Sequence, residues 1–148
     1  MERDTLAIEI VETARALRRA FDERATDMGV TRAQWQVLSK LSRNPGLKQV
    51  ELADLLEIEP ITLCRHIDRL EEAGFVERLR DPNDRRAWRL ELTAKAAPIV
   101  KKLKSLASHF ATDAFGSLSD AQASALSATL ANVRDNLVRT ADKAKATA

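Results

Sequence analysis

Residues 49–93 contain the pattern that most restricts how this chain can fold, because helix and strand signals follow one another there with turns between them. The second helical pattern begins at Pro60. Its apolar residues recur four and three positions apart, as one buried stripe on a helix requires: Leu63, Ile67 and Leu70. Proline at the first helical position and Gly74 just past the last turn are residues that helix ends favour. A helix is therefore predicted between them.

The neighbouring patterns complete a recognisable order. A shorter helix is predicted over Gln49–Leu56, with apolar residues clustered on one side: Leu52, Ala53, Leu55 and Leu56. Two strand-like runs, 75–80 and 87–92, follow the second helix, and the latter alternates apolar and charged residues. The intervening run 81–86 reads Asp-Pro-Asn-Asp-Arg-Arg and is rich in turn formers. Helix, turn, helix and hairpin in this order predict a winged helix-turn-helix.

The outward side of the second helix carries hydrogen-bond donors, as expected of a helix that enters the major groove of DNA. Setting the buried stripe aside leaves donor-bearing side chains that are predicted to point outward: Thr62, Arg65, His66 and Arg69. Arginine suits bidentate contact with guanine, and threonine and histidine can contact bases or phosphates. Arg85 and Arg86, at the hairpin tip, could enter the adjacent minor groove, whose narrow A·T-rich segments attract guanidinium groups. Duplex DNA is therefore the predicted partner.

Asp84 precedes these two arginines and carries the wrong charge for a phosphate contact. We expect its carboxylate to accept hydrogen bonds from a neighbouring arginine and so hold the shape of the hairpin tip. For any single arginine the alternative is ordinary solvated surface. The helix face and the hairpin tip taken together favour DNA.

Composition sets limits on this interpretation. The chain has 148 residues, of which 31% are charged and 4% aromatic, so a single, mainly α-helical domain is favoured. The net charge is only +2, and residues 32–93 hold eleven basic and eleven acidic side chains. DNA binding therefore requires positive charge concentrated on one face, with several acids turned away. These acids are Glu51, Asp54, Glu57, Glu71 and Glu72.

Amphipathic helices are predicted on both sides of this lobe. One covers residues 5–28, and a second follows the capping box Thr31-x-x-Gln34. A long helix is predicted to be capped by Thr93, and the last follows the capping box Ser119-x-x-Gln122. Within a single domain, 1–148, we predict a DNA-binding lobe over 32–93 and dimerisation helices over 1–30 and 94–148. Apolar stripes of this length must be buried, and a second copy would bury them. The alternative is a monomer with an internal three-helix bundle.

The sequence carries no recognisable catalytic or metal-binding pattern. His66 and His109 fall on different predicted helices without acidic partners at ligand spacing, and no phosphate-binding loop or zinc motif occurs. We therefore expect no enzymatic activity, no metal and no cofactor. A charged N-terminal segment, the lack of a long apolar run and a single cysteine favour a cytoplasmic protein without a membrane span.

Together these residues resemble the MarR family of bacterial and archaeal transcription regulators, especially its SlyA-like branch. The resemblance rests on Asp84-Arg85-Arg86 followed by Leu92-Thr93, and on the run from Leu70 to Val76, LEEAGFV. It extends over nearly the whole chain. Lys48 departs from the family pattern, which commonly has Ser or Thr as the N-cap at this position. The resemblance implies a homodimer with a recognition helix for each half of a pseudo-palindromic operator.

The resemblance also implies a pocket for a small aromatic or phenolic carboxylate near the junction of the dimerisation helices and the DNA-binding lobe. Trp35 and Arg65 match positions of the SlyA-like branch, and Arg18 and Phe21 are further candidates. An arginine would pair with the carboxylate, and the indole would supply an apolar wall. Ordinary core packing is the alternative for Trp35. Release of DNA by such a ligand would make the protein a ligand-responsive repressor.

Two further alternatives remain open. Some proteins of this family sense peroxide through a cysteine in the first helix, but Cys64 lies on the second helix of the motif, where a buried structural role is favoured. The chain could also be a helical protein-interaction module that uses its winged-helix face without specific DNA binding. Paired arginines at the hairpin tip favour DNA over that alternative.

Overall fold

The computed structural model describes residues 2–148 and divides them into two units, one ending at His109 and the other covering Phe110–Ala148. The elements in chain order are the helices α1 (Arg3–Asp27), α2 (Arg32–Arg43), α3 (Gln49–Leu56) and α4 (Pro60–Glu72), the strands β1 (Val76–Arg80) and β2 (Trp88–Leu92), a 3-10 turn (Ala94–Ala96), and the helices α5 (Ala97–Phe115) and α6 (Asp120–Thr147). The predicted mainly α fold with a hairpin wing is confirmed.

The core of the first unit lies where α2, α3 and α4 pack around the hairpin. Its largest fully buried side chains include the predicted stripe of α4 together with one or more residues of each neighbouring element: Leu38, Leu41, Leu52, Leu63, Ile67, Leu70, Val76 and Leu90. Leu55 was predicted to face this core, but it is 52% exposed. On an eight-residue helix only the strip centred on Leu52 and Ala53 reaches the core.

The strands β1 and β2 form an antiparallel pair in which Val76 is opposite Leu92 and Arg80 is opposite Trp88. The hairpin is tied to the segment before α3, because the backbone N–H of Leu90 donates to the carbonyl of Leu47 at 3.0 Å. The predicted alternation along β2 is only partial. Leu90 is buried, but its charged neighbours on the opposite face are also half-buried.

Helix ends follow local signals in most cases. Both predicted capping boxes, at Thr31 and at Ser119, are present. Lys48 gives α3 no side-chain cap, in line with its departure from the family pattern. Thr93 was predicted to cap the long helix, but its hydroxyl instead donates to the carbonyl of Gly74. The chain passes through one 3-10 turn before α5 begins, so Pro98 lies at the second position of α5, where it is tolerated.

The second unit consists of the end of α5 and the whole of α6. None of the 28 residues of α6 is buried. Four large apolar side chains are exposed along it: Leu126, Val133, Leu137 and Val138. In α1, which belongs to the first unit, only Ala25 is buried, and four more large apolar side chains are exposed: Leu6, Ile8, Ile10 and Val11. No helix in residues 2–148 is long and apolar enough to span a membrane.

Candidate nucleic-acid interface

Helix α4 presents a mainly polar, donor-bearing surface opposite its buried stripe. Pro60 occupies its first turn, and the positive φ of Gly74, 83°, allows the chain to leave the helix sharply. Thr62, Arg65 and Arg69 are exposed, as predicted for a DNA-reading face. His66 is half-buried and lies toward the edge of that face, between exposed surface and core.

The hairpin tip is held by hydrogen bonds that leave its two arginine side chains exposed. Asp84 Oδ1 accepts a hydrogen bond from the backbone N–H of Arg86 at 3.0 Å. Asp84 therefore contacts the tip through the backbone donor of a neighbouring arginine. Arg80 Nη1 donates to the carbonyl of Arg85 at 2.8 Å, and its guanidinium lies 4.4 Å from the ring centroid of Trp88. Within residues 2–148, no acidic group pairs with the side chains at positions 85 and 86.

Asp81 organises the start of the same loop and was missed by sequence reasoning. It is 8% exposed, and its Oδ1 accepts hydrogen bonds from the backbone N–H groups of Asn83 (2.8 Å) and Asp84 (3.2 Å). Its Oδ2 lies 4.0 Å from Lys48 Nζ. An aspartate followed by Pro-Asn-Asp is a known turn signal, so the local sequence could have identified it.

Arg78 of β1 connects the wing to both helices of the motif and was also missed. Its Nε donates to Gln49 Oε1 at 3.0 Å, and its Nη1 donates to Glu71 Oε1 at 3.1 Å. Its Nη2 lies 2.7 Å from Asp68 Oδ1 and donates to the carbonyl of Cys64 at 3.2 Å. Glu71 also accepts the backbone N–H of Arg78 at 3.0 Å. One side chain, 13% exposed, thus joins α3, α4 and β1.

The electrostatics of this cluster keep Arg78 charged. Burial is the largest single influence on its pKa and lowers it, but the hydrogen bonds and charges of Asp68 and then of Glu71 together outweigh burial, so the pKa of Arg78 is raised. The pairing also neutralises two acids of α4. As a result, the arginines on the exposed face of the helix stand beside less uncompensated negative charge than the sequence suggests.

Trp35 and Phe21 lie together, as the proposed ligand pocket requires. Their ring centroids are 4.8 Å apart in an edge-to-face arrangement, and the indole N–H donates to Asp22 Oδ1 at 2.6 Å. Asp22 also pairs with Arg32. An apolar cavity of about 350 Å³ opens beside the two rings, and Arg43 and Lys104 are among its lining residues. Trp35 therefore has a structural hydrogen bond and also forms part of a cavity wall.

The other candidate ligand residues are divided between different places. Arg18 borders a second, more polar depression of about 600 Å³, which Trp35 also lines. Arg65 lines neither cavity and is exposed on α4. Cys64 is half-buried, with its Sγ 3.7 Å from Arg78 Nη2. Across residues 2–148, no group of three His, Cys, Asp or Glu side chains is arranged to hold a metal ion.

Comparison with known proteins matches the same segment and the same architecture. The model of the MarR family matches residues 30–88. The transcriptional regulator PA3341 has 30% sequence identity to this chain, and its structure superposes with a TM-score of 0.82 over 90% of this chain and 98% of that one. The transcriptional regulator SlyA is 29% identical with a TM-score of 0.75, over 91% and 95% of the two chains. A mutant MarR from E. coli, solved with operator DNA, is 26% identical with a TM-score of 0.72, over 90% and 99%.

Proposed function

The chain belongs to the MarR family of transcriptional regulators, and from this premise we propose that it is a homodimeric repressor of a pseudo-palindromic DNA operator. We further propose that a small aromatic or phenolic carboxylate releases it from the operator. Proteins of this family regulate transcription and are not enzymes.

The observation that carries the proposal is the set of exposed guanidinium groups on α4 and the wing. Arg65, Arg69, Arg85 and Arg86 make no ion pair within residues 2–148. Arg78, in contrast, is occupied by Asp68 and Glu71. Exposed cations on a helix and on a neighbouring hairpin suit base contacts in a major groove and backbone or minor-groove contacts beside it. The related E. coli MarR has been solved with operator DNA.

The second candidate function, a protein-interaction module, explains less. Protein interfaces are formed around a desolvated apolar centre, and charged residues are depleted there. The exposed face of α4 and the wing tip instead carry four cations within one lobe. We therefore retain DNA as the partner and treat protein binding as an outcome that the test below can reveal.

A second copy of the chain is the proposed cover for the apolar side chains of α6 and of α1. None of the 28 residues of α6 is buried, and four of its large aliphatic side chains are exposed, so its apolar side is not packed into a core within this chain. Exposed apolar patches on such helices mark association surfaces. A two-fold dimer would also supply two recognition helices, which a pseudo-palindromic site requires.

The proposed effector site is the cavity beside Phe21 and Trp35. Its wall combines aromatic rings with Val100 and Leu103, and Arg43 and Lys104 provide positive charge for a carboxylate. A volume of about 350 Å³ is within the range of small-molecule sites. A ligand that binds the free protein better than the DNA-bound form would lower the affinity for DNA by the same factor.

Fluorescence anisotropy with the duplex that flanks the protein's own gene, against a scrambled duplex, tests the central claim. Specific binding that weakens steeply as salt rises is expected, because phosphate contacts release counterions. Arg65→Ala and Arg86→Ala should each cost about 1–3 kcal/mol of binding. Lys101→Ala, which removes an exposed cation from α5, is the matched control. Equal, weak binding to both duplexes would favour the protein-interaction alternative.

Tryptophan fluorescence with salicylate at millimolar concentration tests the effector site. Trp35 should respond because it forms part of the cavity wall. In Trp35→Phe only Trp88 remains, and its signal should be unaffected by the ligand. A parallel DNA titration should show weaker binding when salicylate is present. Unchanged fluorescence and unchanged DNA affinity would contradict the proposed ligand class.

A further inference from the structure

Ile61 lies at the most outward position of the first turn of α4. Successive residues of an α-helix are about 100° apart, so Ile61 and Arg65 both fall within about 30° of the direction opposite the buried stripe. They are one turn apart on the same line. Ile61 is 61% exposed. Its side chain therefore stands where a recognition helix would approach the base pairs.

No packing role explains this side chain. Among the residues of α4, all of which the structure describes, Ile61 is the only large apolar one that is exposed. It does not belong to the core cluster or to the partly buried residues packed against it. Its neighbours on the exposed face include Thr62 and Arg65, which are polar. A branched aliphatic group in the middle of a donor-bearing surface needs an apolar partner if that surface becomes desolvated.

The floor of the major groove offers one apolar group, the C5-methyl of thymine. Resting on the proposed function, we propose that Ile61 packs against a thymine methyl in each operator half-site and so specifies an A·T pair at that position. The N-terminal residues of a recognition helix are those that reach base edges, and Ile61 is the second residue of α4. Arg65, one turn further on, would contact a base or phosphate next to that pair.

A thymine-to-uracil scan tests the contact, because uracil lacks only the methyl group. The operator is first obtained by selection from a pool of random duplexes. Each thymine of one half-site is then replaced singly by uracil, and binding is measured for the wild type, Ile61→Ala and the control Leu55→Ala. Leu55 is a comparable aliphatic side chain, 52% exposed on α3. Alanine is also a better helix former than isoleucine, so Ile61→Ala should fold normally.

One uracil position should weaken binding of the wild type by about fourfold, the value of burying one methyl group. That loss should disappear in Ile61→Ala and persist in Leu55→Ala. If every uracil substitution has the same effect on the wild type and on Ile61→Ala, the contact is refuted while sequence-specific DNA binding stands. If selection enriches no sequence and all duplexes bind equally, both this inference and the proposed function are wrong.

Discussion

Replacing Arg78 by methionine should destabilise the folded protein more than replacing an exposed arginine of the same wing. Methionine keeps a long apolar side chain but removes the charge and the side-chain contacts with four residues. Those contacts reach Gln49, Cys64, Asp68 and Glu71 at distances between 2.7 and 3.2 Å. Because these contacts join β1 to α3 and α4, their loss also frees the wing to move relative to α4.

The magnitude follows from burial. Removing one partner of a fully buried pair costs about 3–5 kcal/mol, whereas an exposed pair contributes only about 0–1 kcal/mol. Arg78 is 13% exposed, but Asp68 and Glu71 are 60% and 43% exposed, so both carboxylates can be rehydrated. The hydrogen bonds to Gln49 and Cys64 are part-buried, and the loss of each should lower the free energy of unfolding by about 1 kcal/mol. We expect a total loss of about 2–3 kcal/mol in the free energy of unfolding.

Urea denaturation at fixed protein concentration measures this loss as a lower midpoint with an unchanged slope. Arg78→Lys should lose less, since an ammonium keeps the charge but cannot reach all four acceptors. Arg85→Met is the matched control, because the Arg85 side chain is exposed in the same wing and pairs with no acidic group within residues 2–148, so its loss should cost less than about 1 kcal/mol. A loss below about 0.5 kcal/mol for Arg78→Met would refute the reasoning.

The pH dependence of this effect has a definite sign. A folded-state pKa raised above the unfolded one means that the stabilisation is complete below the unfolded pKa of arginine and is lost only as the pH rises through the folded value. We therefore expect the difference between the wild type and Arg78→Met to stay constant from neutral to moderately alkaline pH. A difference that declines within that range would contradict the assignment of the stabilisation to the charged guanidinium.

Three other substitutions test separate parts of the structure. Gly46→Ala should lower the melting temperature more than Gly29→Ala: both glycines have positive φ, 73° and 79°, but only at Gly46 would a Cβ collide with the guanidinium of Arg89. Leu137→Glu should give monomers in analytical ultracentrifugation, because Leu137 is 65% exposed on α6; a stable dimer would contradict that interface. Asp81→Ala should lower the free energy of unfolding by about 1–3 kcal/mol in urea denaturation, because removing the buried carboxylate takes the acceptor away from two loop N–H groups.

The parts of the fold that were predicted correctly depend on short-range signals. The bounds of α3 and α4 agree with the prediction. The ends of α4 are marked in its own sequence by Pro60 and by Gly74, which adopts the positive φ that glycine favours. The capping boxes at Thr31 and Ser119 also need only residues three positions apart. Such features form wherever the sequence places them, so reading the chain locally is enough.

The predictions that were wrong depend on partners far away in the chain. Leu55 had the spacing of a core residue, but its side chain is 52% exposed. Thr93 had the position of an N-cap, but its hydroxyl found the carbonyl of Gly74, 19 residues earlier. Both errors have one physical cause, because hydrogen bonds and burial depend on which segments meet in space, and a helical pattern does not contain that information.

The sequence by itself determined that this chain forms a helix-turn-helix with a hairpin wing, since periodicity, proline, glycine and capping residues act over a few positions. It also singled out the arginines of α4 and the wing tip as candidate DNA contacts. Only the tertiary structure decided that Arg78 binds Gln49, 29 residues away, as well as Asp68 and Glu71. The physical reason is that folding brings the charges of β1 and α4, and a polar side chain of α3, together in a part-buried site, where pairing overcomes the cost of burial.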